Sequence, residues 1–97
     1  MDVIQATIEN DIQQLSTLLM NGADPNLTED IARVTPLHYA ASQGLYEAAL
    51  LLLTAGAKLT EEAISDKTPT ELARMNNQFH LVSLFNCFFP NPSKIAH

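Results

Sequence analysis

The segment Thr35-Pro36-Leu37-His38-Tyr39-Ala40-Ala41 is followed ten residues later by Leu51-Leu52-Leu53-Thr54-Ala55-Gly56-Ala57. Thirty-three residues after Thr35 its opening returns in weaker form as Thr68-Pro69-Thr70-Glu71-Leu72-Ala73. Thirty-four residues before Gly56 stands Gly22, inside Leu18-Leu19-Met20-Asn21-Gly22-Ala23-Asp24-Pro25-Asn26. A unit of ~33 residues is too short to bury its own apolar face, so such units stack and share a core with their neighbours. This periodicity limits the fold more than any single motif does.

Each part of the unit has a local reason. Thr35 suits a helix N-cap, because its hydroxyl accepts from a backbone N–H of the first turn. Pro36 suits the first helical position, where a missing N–H loses nothing and a fixed φ already fits. Leu37, Ala40 and Ala41 give a short helix one apolar and two small residues, so a neighbouring pair of helices approaches closely. Gly44 then ends the helix in a left-handed conformation that a Cβ disfavours. Ala48, Ala49, Leu51 and Leu52 follow helical spacing for a second helix, which Gly56 closes.

Thr-Pro-Leu-His at this period resembles the ankyrin repeat, and the resemblance runs from about Asp2 to Phe89. It implies an all-α solenoid of three helix pairs with two extended, β-hairpin-like fingers. The whole chain, 1–97, reads as one domain. An N-cap repeat with its finger takes 1–34, a full repeat 35–67, a C-cap repeat 68–89 and a tail 90–97. Inner helices are expected near Asp2, Pro36 and Pro69, and outer helices near Ile12, Tyr46 and Phe79. Asn10 and Asn77 stand where Gly44 stands in the central repeat. Gln14 and Thr17 replace Ala48 and Leu51, while Thr70, Glu71 and Asn86 replace Leu37, His38 and Leu53. Such polar replacement suits terminal repeats with one face in water. The expected core is Ile4, Leu15, Leu18, Leu19, Leu37, Ala40, Ala48, Leu51, Leu52, Leu72, Leu81, Val82, Leu84 and Phe85. Leu50 either packs under a loop or joins a self-association patch. Of Phe88 and Phe89, one should cover the end of the core and the other stay partly exposed.

Composition narrows the function. Eleven carboxylates against five lysines and arginines give a net charge of −6. That argues against nucleic acid, whose backbone needs a basic footprint, and against an anionic membrane surface. No apolar run reaches the ~18 residues of a membrane span, and no signal peptide opens the chain. Cys87 is the single cysteine, which excludes an internal disulfide. A cytoplasmic monomer is the expectation.

The chain lacks Cys-x-x-Cys, His-Glu-x-x-His, Gly-x-Ser-x-Gly and a phosphate-cradling glycine loop. His80 and Cys87 lie about two helical turns apart, ~10.5 Å, too far to share a metal. Glu61-Glu62 reads as a hydrated pair and not as an acid–base couple. No enzyme, cofactor or metal site is expected. The resemblance implies that His38 bonds backbone between repeats as a structural brace.

The resemblance also implies a protein partner on the concave side, made of finger tips and the exposed face of the inner helices. The outward finger positions are Ile31, Ala32 and Val34, then Ile64, Ser65 and Lys67. The matching inner-helix positions are Ile8 and Glu9, Ser42 and Gln43, Met75 and Asn76. Ile8, Ile31, Val34, Ile64 and Met75 form an apolar ladder that either meets a partner or stiffens the row of fingers. Glu29, Asp30, Glu61, Glu62 and Asp66 add carboxylates that favour a locally basic partner. Two departures stand out. The finger-turn glycine of the family is Arg33 in one finger and Asp66 in the other, and the first finger is one residue longer than the second.

With no second domain evident, the expected output is occupancy of one partner by a stand-alone inhibitor, masking or immunity-type protein, or an adaptor. Three repeats present ~800 Å² per side, enough for one standard interface. The alternatives are a structural, self-associating element and a piece of a longer ankyrin array.

Overall fold

The computed structural model of the protein describes residues 2–28, 33–59 and 67–88. Among these residues are six helices: α1 Val3–Ile8, α2 Ile12–Met20, α3 Pro36–Gln43, α4 Tyr46–Thr54, α5 Pro69–Met75 and α6 Phe79–Phe88. All six begin where the repeat pattern places them, give or take one residue. No strand occurs among the described residues. The expected finger segments 29–32 and 60–66, Phe89 and the tail lie outside them, as does the side chain of Phe88.

Short polar caps start α1, α2, α3 and α5. The Gln5 N–H donates to the Asp2 carboxylate at 2.8 Å, and the Gln14 N–H to Asp11 at 3.1 Å. Thr35 and Thr68 cap α3 and α5 ahead of Pro36 and Pro69. Each inner helix then turns into its outer partner through one left-handed residue: Asn10 (φ 54°), Gly44 (φ 76°) and Asn77 (φ 60°). Asn tolerates that conformation. At Gly44 a Cβ would also meet the side-chain amide of Gln78 in the next repeat, which would have to swing aside.

The inner helices form one row, with α3 between α1 and α5, and the outer helices a second, with α4 between α2 and α6. Ala6, Ala40 and Ala73 recur through the inner row, each fully buried. Their small size is what permits close stacking. Leu15, Leu37, Leu52, Leu81 and Phe85 fill the space between rows.

Part of the expected core is corrected. Leu18, Leu19, Leu51, Leu72 and Val82 are half-buried and pack against the core from its flank. The buried stripe of α4 is Ala48, Ala49, Leu52 and Leu53, a four-residue helical repeat that leaves Leu51 at its edge. Leu50 is exposed, not packed beneath a loop.

Arg33 sits in the left-handed region at φ 56°. A side chain there costs about 1–2 kcal/mol, part of which glycine loses again through unfolded-chain entropy. Arg33→Gly is therefore expected to raise stability by about 0.5–1 kcal/mol in urea melts. An unchanged or lower midpoint would show that the Arg33 side chain compensates for the strain.

Candidate interaction surface

Hydrogen bonds between repeats hold the inner helices in register, and His38 carries the central one. The ring is buried, with 1% of the residue exposed. Its Nδ1 accepts the Thr35 backbone N–H at 3.0 Å and lies 2.7 Å from the Thr35 hydroxyl. The proton is therefore on Nε2, which donates to the Lys67 carbonyl 3.0 Å away in the following repeat. With both nitrogens engaged in this way, His38 is a brace and is not placed to serve as a general base.

A second clasp was not anticipated from the sequence. Asn26 Nδ2 donates to the Gly56 carbonyl at 3.2 Å, and the Lys58 N–H donates to Asn26 Oδ1 at 2.8 Å. The available signal was Asp24-Pro25-Asn26 just after Gly22: Asp24 accepts the Asn26 N–H at 2.8 Å and so sets the loop.

In the third repeat Glu71 takes the capping role that His38 has in the second. Its Oε1 accepts the Thr68 N–H at 2.9 Å, while the Glu71 N–H donates to the Thr68 hydroxyl at 3.2 Å. The backbone bond to Thr68, then the Thr68 hydroxyl, Lys67 and Arg74, hold the Glu71 carboxyl below its ordinary range against a partial opposing effect of burial. A depressed folded value means stability that is present above the unfolded pKa of ~4.3 and lost as pH falls through the folded one. The stability difference between wild type and Glu71→Gln should accordingly be largest near neutral pH and shrink below pH ~4. A difference that stays constant with pH would show that the carboxylate form is not what caps α5.

With the inner row fixed, Ile8 ends α1, Gln43 ends α3 and Met75 ends α5, with Glu9 and Asn76 as the adjoining C-caps. The structure thus brings the six inner-helix positions together along one edge of three neighbouring helices. Met75 is 63% and Ile8 46% exposed; Glu9, Gln43 and Asn76 are exposed and Ser42 is half-buried. Gln5 donates to the Glu9 carboxylate, and Asn76 Nδ2 donates to the Leu72 carbonyl at 2.8 Å. Both side chains are held by their own helices. The edge carries one charge of each sign, Glu9 at the end of α1 and Arg74 in the last turn of α5.

Val34 and Lys67 lie at the opposite, N-terminal ends of α3 and α5, both half-buried. The Lys67 carbonyl is committed to His38. Ile31, Ala32, Glu61, Glu62, Ile64, Ser65 and Asp66 lie outside the described residues. Among the described residues are two shallow notches, one of about 190 Å³ at the turns around Asn10 and Gly44 and one of about 180 Å³ between α2 and α4. Both are smaller than the ~300 Å³ at which small-molecule sites begin. Among the described residues no cluster of His, Cys, Asp and Glu could hold a metal, and no helix is long and apolar enough to cross a membrane.

A family profile described as ankyrin repeats, in three copies, matches residues 3–88. Among curated proteins, the chain is 37% identical over 76 residues to the potassium channel GORK of Arabidopsis thaliana, covering 78% of this chain and 9% of the channel. It is 32% identical over 79 residues to cyclin-dependent kinase inhibitor 2A of Monodelphis domestica, covering 81% of this chain and 46% of the inhibitor. It is 42% identical over 59 residues to the ARF GTPase-activating protein Git of Drosophila melanogaster, covering 61% and 8%. The chain spans less than half the length of each of these relatives.

Proposed function

This chain belongs to the ankyrin repeat family, and on that premise we propose that it is a non-catalytic inhibitor or masking protein that occupies one protein partner through its concave face. Ankyrin repeats are protein-binding modules. The observation that carries the choice of face is the exposure of Ile8 on α1 and Met75 on α5, the inner helices on either side of α3, beside the polar Glu9, Gln43 and Asn76. Exposed apolar side chains set among polar ones give a partner apolar anchors within a polar surround. In the proposal the finger positions Ile31, Ala32, Val34, Ile64, Ser65 and Lys67 supply the second part of the concave face, toward the N-terminal ends of the inner helices. The finger carboxylates Glu61, Glu62 and Asp66 steer a locally basic partner toward it.

Inhibition is favoured over scaffolding because two of the relatives, each matched over about half its length, are named as cyclin-dependent kinase inhibitors. The acidic composition with one cysteine supports a cytoplasmic site of action. Affinity capture from the native host with wild type and Ile8→Asp/Met75→Asp tests the proposal. The variant should melt like wild type and lose the captured partner, its off-rate rising more than ~10-fold. Equal capture by both proteins would refute the concave assignment.

A further inference from the structure

The outer row has a property that concave binding leaves unused. Helices α2, α4 and α6 together carry a single formal charge, Glu47, in a chain whose net charge is −6. On that nearly neutral face Met20 is 84% exposed, Phe79 60% and Leu50 37%. Beside Met20 runs the groove of about 180 Å³ between α2 and α4, lined by Ser16, Leu19, Met20, Leu51, Thr54 and Ala55. The groove lining is mostly apolar and contains no charged side chain.

We infer that this convex face pairs with a second copy of the same chain, the Met20 side chain of each copy entering the α2–α4 groove of the other. The charge distribution selects the occupant. A basic partner is drawn to the carboxylates, of which only Glu47 among eleven lies on an outer helix. A second copy, itself strongly acidic, is repelled where the others lie and meets least repulsion on the outer row. A protruding side chain next to a recess that its twin can fill is also self-complementary, as a twofold interface requires. The concave face stays free, so pairing and partner binding are compatible. So small a contact supports only weak association, with Kd on the order of 0.1–1 mM.

Sedimentation or light scattering of the full chain from ~10 µM to ~1 mM, at low and high NaCl, tests this. Raising the salt from ~0.01 to ~1 M shortens the Debye length from about 30 to about 3 Å and relieves the repulsion. The dimer fraction should therefore rise with salt as well as with concentration. Met20→Lys lowers the net negative charge, yet it should weaken association at least ~10-fold by placing a charge in the contact. Leu50→Glu, a neighbour on the same face, should weaken it as well. Both side chains lie outside the core, so both variants should keep the wild-type melt. A monomer at every concentration and salt overturns the inference, as does undiminished dimerisation of Met20→Lys. So does a different protein held by wild type and released by Met20→Lys while the chain itself stays monomeric.

Discussion

Leu52→Ala is expected to lower the unfolding free energy by about 2–5 kcal/mol. Leu52 is fully buried in the last turn of α4, and α4 packs against both α2 and α6. Truncation there opens a cavity in the shared core, and its cost rises with the volume that the flanking helices leave unfilled. A stack of three repeats is near the minimum for stability, so the variant should be partly unfolded at 37 °C. Leu51→Ala provides the comparison. Its side chain is half-buried at the edge of the same helix, so its loss should be clearly smaller. Urea melts of both variants check the order. A Leu52→Ala loss under about 1 kcal/mol, or a larger loss for Leu51→Ala, would mean that the α4 stripe is misassigned.

His38→Ala is expected to be the next most damaging single change, through hydrogen bonding more than volume. It leaves the Thr35 N–H and the Lys67 carbonyl without their ring partners, one at the start of α3 and the other in the following repeat. An unsatisfied buried group costs about 1–3 kcal/mol. The melting temperature should fall while the affinity of the folded fraction for its partner stays near that of wild type. Collapse of affinity with unchanged melting would make the imidazole a contact residue instead.

The helix starts were legible because each depends on local chemistry. Thr35-Pro36 and Thr68-Pro69 set caps wherever they occur, and Asn10 and Asn77 adopt the left-handed turn of Gly44 because Asn carries little penalty there. The phase of α4 was only half legible. Four consecutive leucines, Leu50 to Leu53, have no internal period, so the stripe had to be taken from Ala48-Ala49, and Leu51 was preferred where Leu53 is buried. The His38 brace followed from the motif that contains it. The Asn26 clasp did not, because it joins residues 30 and 32 positions apart through a side chain with no periodic signature. Of the interface, sequence register placed Ile8, Gln43 and Met75 on one edge. Exposure, which separates a surface ladder from a packed one, required the structure.

The central claim, that the inner-helix edge and the fingers receive the partner, is tested most directly by titrating isotope-labelled protein with its captured, purified partner and following the backbone amide resonances. The account predicts that shifts and broadening concentrate at Ile8, Glu9, Gln43, Met75 and Asn76 and at the finger residues Ile31 and Ile64, with the outer helices nearly unchanged. Perturbation centred on Leu50, Ser83 and Cys87, with Ile8 and Met75 unmoved, would contradict it.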